Sequence, residues 1–267
     1  MILPADAQYG TAVERGQDLA QPEPAAAPDR LRLVVDLRTP EQLAIDFREG
    51  AAETAWLRPD DGLLGASRWE RAAKRLLDVV VGGLAIAMLS PVLLLAALMV
   101  KLGSPGPVLF AQDRTGWQGR GFRFLKFRTM GCDAEAKKHE LDHRNEVDGP
   151  VFKIRRDPRI TGVGRILRKL SVDELPQLVH VLSGKMTLVG PRPLPVDEAA
   201  ALSSWEAQRL LVKPGLTGIW QVSGRSDLDF GTWARMDILY IRDWSLWLDL
   251  TLLLRTVPAV LSGRGAY

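Results

Sequence analysis

Residues Arg68–Pro107 read RWERAAKRLLDVVVGGLAIAMLSPVLLLAALMVKLGSPGP, and the placement of charge in this stretch decides the architecture of the chain. From Leu76 to Val100 the only charge is Asp78, and about 20 apolar residues suffice to cross a bilayer as a helix. Arg68, Arg71, Lys74 and Arg75 precede the apolar run, while Lys101 and the basic FRFLKFR of residues 122–128 follow it. Positive flanks mark the cytoplasmic side, so both ends are expected on the same face. Pro91 lacks a backbone N–H, and Ser90-Pro91 is therefore the expected helix break. The favoured reading is a re-entrant helix-break-helix anchor, ahead of a straight transmembrane span or a kinked core helix.

Outside this segment the chain is that of a folded protein. Its 267 residues are 46% apolar and 25% charged, which suits one or two domains and excludes disorder throughout. A single cysteine, Cys132, rules out an intramolecular disulfide and fits a reducing compartment. A net charge of +3 points mildly to anionic partners and carries no nucleic-acid signature. The first thirty residues lack the basic and apolar regions of a secretory signal, so export is not expected. QPEPAAAPD, residues 21–29, reads as a linker, and residues 31–47 as a strand and short helix or as nothing stable. Three parts follow: an extension over 1–67, the anchor over 68–102 and a catalytic domain over 103–267.

After the turn at Gly103–Pro107, PVLFAQ and GFRFLKFRTM alternate in the manner of two short strands around a glycine-rich turn. Arg123, Lys126 and Arg128 would project from them, as a solvated face near an anionic membrane or as phosphate ligands. HELDH, His139 to His143, matches the zinc-protease pattern H-E-x-x-H. Its surroundings are polar on every side and His180 offers no familiar spacing for a third ligand, so a solvated, charge-laced helix is expected.

The basic run FKIRRDPRITGVGRILRKL leads into Ser171-Val172-Asp173-Glu174. Ser171 with Glu174 fits a capping box, but a helix starting there would hold Pro176 in its second turn. A start at Asp173 or Glu174 keeps the proline in the first turn, and the helix then runs to a stop at Ser183-Gly184. The helix dipole would favour an ionised carboxylate at that start. Two adjacent carboxylates need cations: Arg168 and Lys169 supply part, and Mg²⁺ shared with substrate phosphates would supply the rest. Arg192, between prolines in GPRPLP, would present a preorganised fork to phosphate. Together these features suggest phosphoryl-type transfer at a bilayer surface. In the last segment, Trp244, Trp247, Leu250 and Leu254 share a helical stripe flanked by Asp249 and Arg255, as in an interfacial amphipathic helix; packing on the protein's own core is the alternative.

From Arg68 to Tyr267 the chain resembles the monotopic phosphoglycosyl transferases, bacterial sugar transferases that initiate glycan assembly on polyprenyl phosphate. The resemblance is carried by the Ser90-Pro91 segment, FLKFRTM, DPRIT, LSVDELPQL, LVGPRP, KPGLTGIWQVSGRSD and DWSLWLDLTLLLRTV. It implies a mixed α+β monotopic membrane protein on the cytoplasmic face of the inner membrane. Asp173 would attack the sugar-bearing phosphate of a UDP-sugar, UMP would leave, and polyprenyl phosphate would take the phosphosugar from the carboxylate. Glu174, with Asp173, would hold Mg²⁺ and Arg192 would bind phosphate; Arg168 would lie near the dyad. Lys126, Lys213, Gln221 and Arg225 are further substrate-binding candidates, against the alternative of a glycine-rich loop around a buried Trp220. IWQVSGRSD looks more like enzymes that transfer hexose-1-phosphate. Larger members carry several transmembrane helices before the catalytic part, and nothing before Arg68 is apolar enough to be one. Membrane lipid would be a partner and a homo-oligomer is compatible with the sequence. A non-catalytic membrane adaptor and a zinc hydrolase remain as readings of other classes.

Overall fold

The computed structural model describes residues 56–146, 149–154, 156–224, 228–263 and 265. The chain divides into Met1–Asp36 and Leu37–Tyr267, and the description concerns the second unit. The expected strand and helix within 31–47, and Arg225, lie outside the described residues. Residues 56–67, assigned by sequence to the extension, touch the catalytic part. The Leu57 amide donates to Gln208 Oε1 at 2.6 Å, and the one-turn helix α1 (Gly62–Gly65) lies so close to the Ile241 carbonyl that a Cβ on Gly62 would come within 2.3 Å of it.

Helix α2 runs from Arg68 to Gly103, 36 residues. Ser67 opens it with a capping box: its hydroxyl accepts from the Glu70 amide at 3.2 Å, and the Glu70 carboxylate accepts from the Ser67 amide at 2.8 Å. The expected interruption at Ser90-Pro91 is absent, and the helix continues through both residues. Pro91 leaves the Ala87 carbonyl without its i+4 donor, and the Ser90 hydroxyl donates to that carbonyl at 2.9 Å. The serine thus repairs the hydrogen bond the proline removes. α2 is long and apolar enough to cross a membrane, and in its most apolar 18-residue window only 11% is buried.

Both ends of α2 nevertheless pack on the same unit. Near its start, Arg75 donates to the carbonyls of Val181 and Leu182, each at 2.6 Å. Near its end, Ala96 and Val100 form a buried cluster with Phe127 and Leu167. Leu84, Met88, Leu94 and Leu95, between these contacts, are exposed.

The remaining elements are short, in a mixed helix and sheet architecture. Strands β1 (Leu109–Thr115) and β2 (Gly121–Phe127) form an antiparallel hairpin with Leu109 opposite Phe127. Phe124 and Phe127 are both buried although, three residues apart, they leave opposite faces of the strand, so β2 is covered on both sides there. Helix α3 (Gly162–Lys169), a 3-10 turn (Val172–Gln177) and α4 (Leu178–Leu182) lead to β3 (Thr187–Val189). After α5 (Val196–Ala200), β4 (Gly215–Thr217) pairs with β3 in parallel. Helices α6 (Ile219–Ser223), α7 (Phe230–Arg242) and α8 (Leu246–Ser262) complete the described chain.

On α8, Trp247, Leu250, Leu254, Val257 and Leu261 form an exposed apolar stripe, while Leu248 and Leu252 are buried. Trp244 does not belong to that stripe. It precedes the helix and is buried, its indole N–H donating to Asp249 at 3.2 Å. Asp249 is likewise a core group rather than a flanking charge.

Asp249 meets the anchor helix in a buried network. Lys74 Nζ donates to Asp249 Oδ2 at 2.7 Å, to the Val189 carbonyl at 3.0 Å and to the Tyr240 hydroxyl at 3.1 Å. The Tyr240 hydroxyl lies 2.7 Å from Asp249 Oδ1 and 2.8 Å from the Val189 carbonyl. One turn on, Asp78 Oδ1 accepts from the Leu188 amide at 2.8 Å and the Thr187 hydroxyl at 2.9 Å. Replacing Lys74 by Met strands the Asp249 charge in the interior, and the expected loss is about 3–5 kcal/mol, read from denaturant unfolding of the detergent-solubilised chain. K74M/D249L should recover most of that loss, whereas K137A, at the exposed Lys137–Asp133 pair, should leave the transition unmoved.

Candidate active site

A cavity of about 420 Å³ collects Lys126, Arg168, Asp173, Glu174, Arg192 and Gln221 from separate parts of the sequence. Lys126 comes from the end of β2, Arg168 from the last turn of α3, and Gln221 from α6. Lys213 is not among the lining residues; its ammonium lies 6.0 Å from the centre of the Trp117 ring. Arg123 is exposed on the hairpin. Arg128 is buried and structural: it donates to the carbonyls of Ser104, Pro105 and Pro107 at 2.9, 2.8 and 2.6 Å, and so secures the chain leaving α2.

The carboxylate pair is placed by an unusual turn. Ser171 adopts a left-handed conformation with φ 53° and ψ 20°, which reverses the chain between α3 and the 3-10 turn. This costs a residue with a Cβ about 1–2 kcal/mol. The Ser171 side chain caps nothing. Pro176 sits inside the 3-10 turn and the α-helix starts only at Leu178, so Asp173 is not at an α-helix N-terminus.

The expected dipole effect on Asp173 is accordingly overridden. Its side chain is buried and accepts no hydrogen bond among the described residues. Burial first, and the Glu174 charge second, push its carboxyl up to about 6, against the pull of Lys126, Arg168 and Arg192. Glu174 behaves differently. Burial opposes its ionisation, but Arg192, by charge and by hydrogen bonding, with Arg114 and Lys126, holds its carboxyl below the ordinary value. Arg192 Nη1 donates to Glu174 Oε2 at 2.8 Å, and Nη2 donates to Oε1. Lys126 is driven down to about 7, chiefly by burial and then by Arg114 and Arg168. Arg168 Nε donates to the Thr129 hydroxyl at 2.9 Å, which directs its fork along the cavity wall.

Arg192 follows β3, where the chain bends through Gly190-Pro191. The Gly190 amide donates to the Thr217 carbonyl at 2.9 Å and the Gly215 amide to the Pro191 carbonyl at 2.8 Å. A Cβ on Gly215 would come within 2.1 Å of the Gly190 nitrogen, so this approach requires glycine.

Asp173 and Glu174 are hard oxygen donors of the number magnesium takes from protein when phosphates and water complete its shell. Arg192 occupies one lone pair on each Glu174 oxygen, so a metal at Glu174 would share the carboxylate with that guanidinium or displace it. Among the described residues no group of three or more His, Cys, Asp or Glu side chains gathers as a metal cage. His139–Arg144 form a 3-10 segment in which exposed His139 faces Asp142 at 3.5 Å. His180 serves the fold, with Nε2 accepting from the Leu125 amide at 3.2 Å.

Sequence reasoning missed Arg114, Glu198 and Arg209, which also line the cavity. Arg114 continues the polar alternation of β1 from Gln112, a visible signal. Nothing local distinguishes Glu198 or Arg209 from surface charges.

Residues 69–263 match the bacterial sugar transferase family. The chain belongs to that family. The matched range contains nearly all of α2 and the six expected residues that line the cavity. The chain is 44% identical over 195 residues to the galactosyl transferase CpsE of Streptococcus agalactiae, a match that covers 73% of this chain and 43% of CpsE. It therefore spans less than half the length of that relative. It is 40% identical over 219 residues to the exopolysaccharide production protein ExoY of Rhizobium meliloti, covering 80% of this chain and 93% of ExoY. It is 48% identical over 204 residues to a UDP-glucose:undecaprenyl-phosphate glucose-1-phosphate transferase of Caulobacter vibrioides, covering 73% and 72% of the two chains.

Carbon-13 NMR of aspartate-labelled protein should show Asp173 titrating near pH 6. In E174Q, which removes the neighbouring negative charge and frees Arg192, the midpoint should move down; an upward move or none contradicts the origin of the shift.

Proposed function

We propose that this family member transfers a sugar-1-phosphate from a UDP-hexose to a polyprenyl phosphate of the undecaprenyl type, releasing UMP and initiating exopolysaccharide or related glycan assembly. The observation that carries the reading is Asp173: a buried carboxylate without a hydrogen-bond partner among the described residues, facing a cavity lined by Lys126, Arg168 and Arg192. The names of the ExoY and Caulobacter relatives support the product class and the donor.

In the first half-reaction an Asp173 carboxylate oxygen attacks the sugar-bearing phosphorus. The bond from that phosphorus to the bridging oxygen breaks, UMP leaves with the oxygen, and the phosphosugar stays on the carboxylate. In the second, a phosphate oxygen of the polyprenyl phosphate attacks the same phosphorus, and Asp173 is regenerated. Lys126, Arg168 and Arg192 bind and orient the phosphates, and their charge opposes the repulsion between an anionic nucleophile and an anionic substrate. Glu174, with Asp173, would hold magnesium, and Arg192 would divide its fork between Glu174 and substrate phosphate. When bound, the ion supplies charge neutralisation at the diphosphate. Gln221, which lines the cavity, and Arg225 keep the substrate-binding role that the resemblance gives them.

The anchor is proposed to be re-entrant, with the catalytic part on the cytoplasmic face. Both ends of α2 pack on the unit that carries the cavity, which supports entry and return on one face. The exposed stripe of α8 would lie in the same interface.

A panel of UDP-sugars with polyprenyl phosphate should release UMP in a magnesium-dependent reaction. D173N should lower that rate by about 10³-fold or more, and normal turnover by D173N would overturn the mechanism. Because the nucleophile must be ionised, kcat/KM should fall about tenfold per pH unit below Asp173's value of about 6. For topology, single cysteines placed at Arg71 and Lys101 in a C132S background should both be shielded from an impermeant periplasmic reagent; labelling at either position would refute re-entry.

A further inference from the structure

The loop that carries Arg192 is bounded by Pro191 and Pro193, which have no N–H to donate, so neighbours can hold it only through its carbonyls and the amides beside it. The Pro191 carbonyl is taken by the Gly215 amide at 2.8 Å and the Pro193 carbonyl by Arg114 Nη1 at 2.8 Å. The carbonyl of Arg192 itself accepts from Arg209 Nη2 at 3.0 Å. That same nitrogen donates to Asp237 Oδ2 in a buried ion pair, each side chain only 2% exposed. Arg209 Nη1 is buried without a hydrogen-bond partner among the described residues, so the orientation of the guanidinium rests on Nη2. Asp237 stands near the middle of α7, and Phe230 on the same helix lies under the guanidinium, 5.9 Å from ring centre to Cζ.

Such a pair is a poor source of stability, because desolvating both charges offsets much of their attraction. What it does contribute is position. The Arg192 carbonyl is held only while Asp237 fixes the nitrogen that binds it.

We propose that Arg209 and Asp237 are positioning residues for Arg192: by holding its main chain they keep its guanidinium aimed at the phosphates of the nucleotide-sugar. This rests on the reading of Arg192 as a phosphate-binding residue. Asp237 does not line the cavity, and Arg209, which does, keeps its side chain only 2% exposed, so their effect should pass through Arg192.

The test is a mutant cycle on the full chain in detergent, read by kcat/KM for UMP release and by the Kd of UDP. R209M/D237L replaces the pair with apolar groups and should melt close to the parent protein. Displacing a substrate-positioning group by about 1 Å costs about 10²-fold, so kcat/KM should fall and UDP binding should weaken with it. In an R192A background the same double substitution should cause no further loss of either quantity. A further loss of equal size in that background, or full activity of R209M/D237L, overturns the proposal. Full activity of R192A alone would instead overturn the phosphate-binding reading beneath it. Should R209M/D237L fail to fold, D237N, which keeps the shape of the site, goes through the same cycle with the same expected non-additivity and the same overturning result.

Discussion

Lys74 leaves a largely apolar helix for the protein interior, meets Asp249 of a second helix with an apolar face, and with Tyr240 holds the carbonyl of Val189. Because Asp78 takes the Leu188 amide one turn later, strand β3 is held by two opposite charges of the anchor helix. Arg192 lies three residues beyond Val189. The register of the anchor against β3 therefore sets where the cavity receives its arginine. Neither charge could sit in hydrocarbon without large cost, so their burial in protein also sets where lipid contact on α2 can begin.

The cavity is a balance of like and unlike charge under desolvation. Two adjacent carboxylates could not both be ionised in a buried place without cations, and Arg192 resolves the conflict by neutralising Glu174 rather than Asp173. This leaves the two acids with different characters: Glu174 firmly ionised and engaged, Asp173 destabilised and without a hydrogen-bond partner among the described residues. A carboxylate of that character arises where hydrogen bonds are withheld, and the left-handed turn at Ser171 is the local strain that accompanies its placement.

Much of this was legible in the chain. The apolar run with basic flanks, the hairpin of β1 and β2, and the Asp173-Glu174 pair with Pro176 each have local causes: hydropathy, alternation, and the missing N–H of proline. Other readings failed for equally physical reasons. Ser90-Pro91 was expected to break the helix between two halves of the anchor, but the serine hydroxyl satisfies the very carbonyl that the proline orphans. Trp244 fitted a membrane stripe by spacing and Asp249 was expected to flank it, yet both face Lys74, a partner 175 residues from Asp249 in sequence. Arg128 and Lys126 sit two residues apart in one basic run, one closing a loop and the other entering the cavity.

What the sequence by itself determined were the features governed by neighbours along the chain: an apolar helix with positive ends, a strand hairpin, a carboxylate pair ahead of a proline, and an arginine confined between prolines. The tertiary structure alone decided what each charge meets. Lys213 went to a tryptophan face, Arg209 to a buried aspartate and Arg114 to the loop of Arg192, because each interaction depends on distance through space and on how much water the fold removes, and spacing along the chain encodes neither.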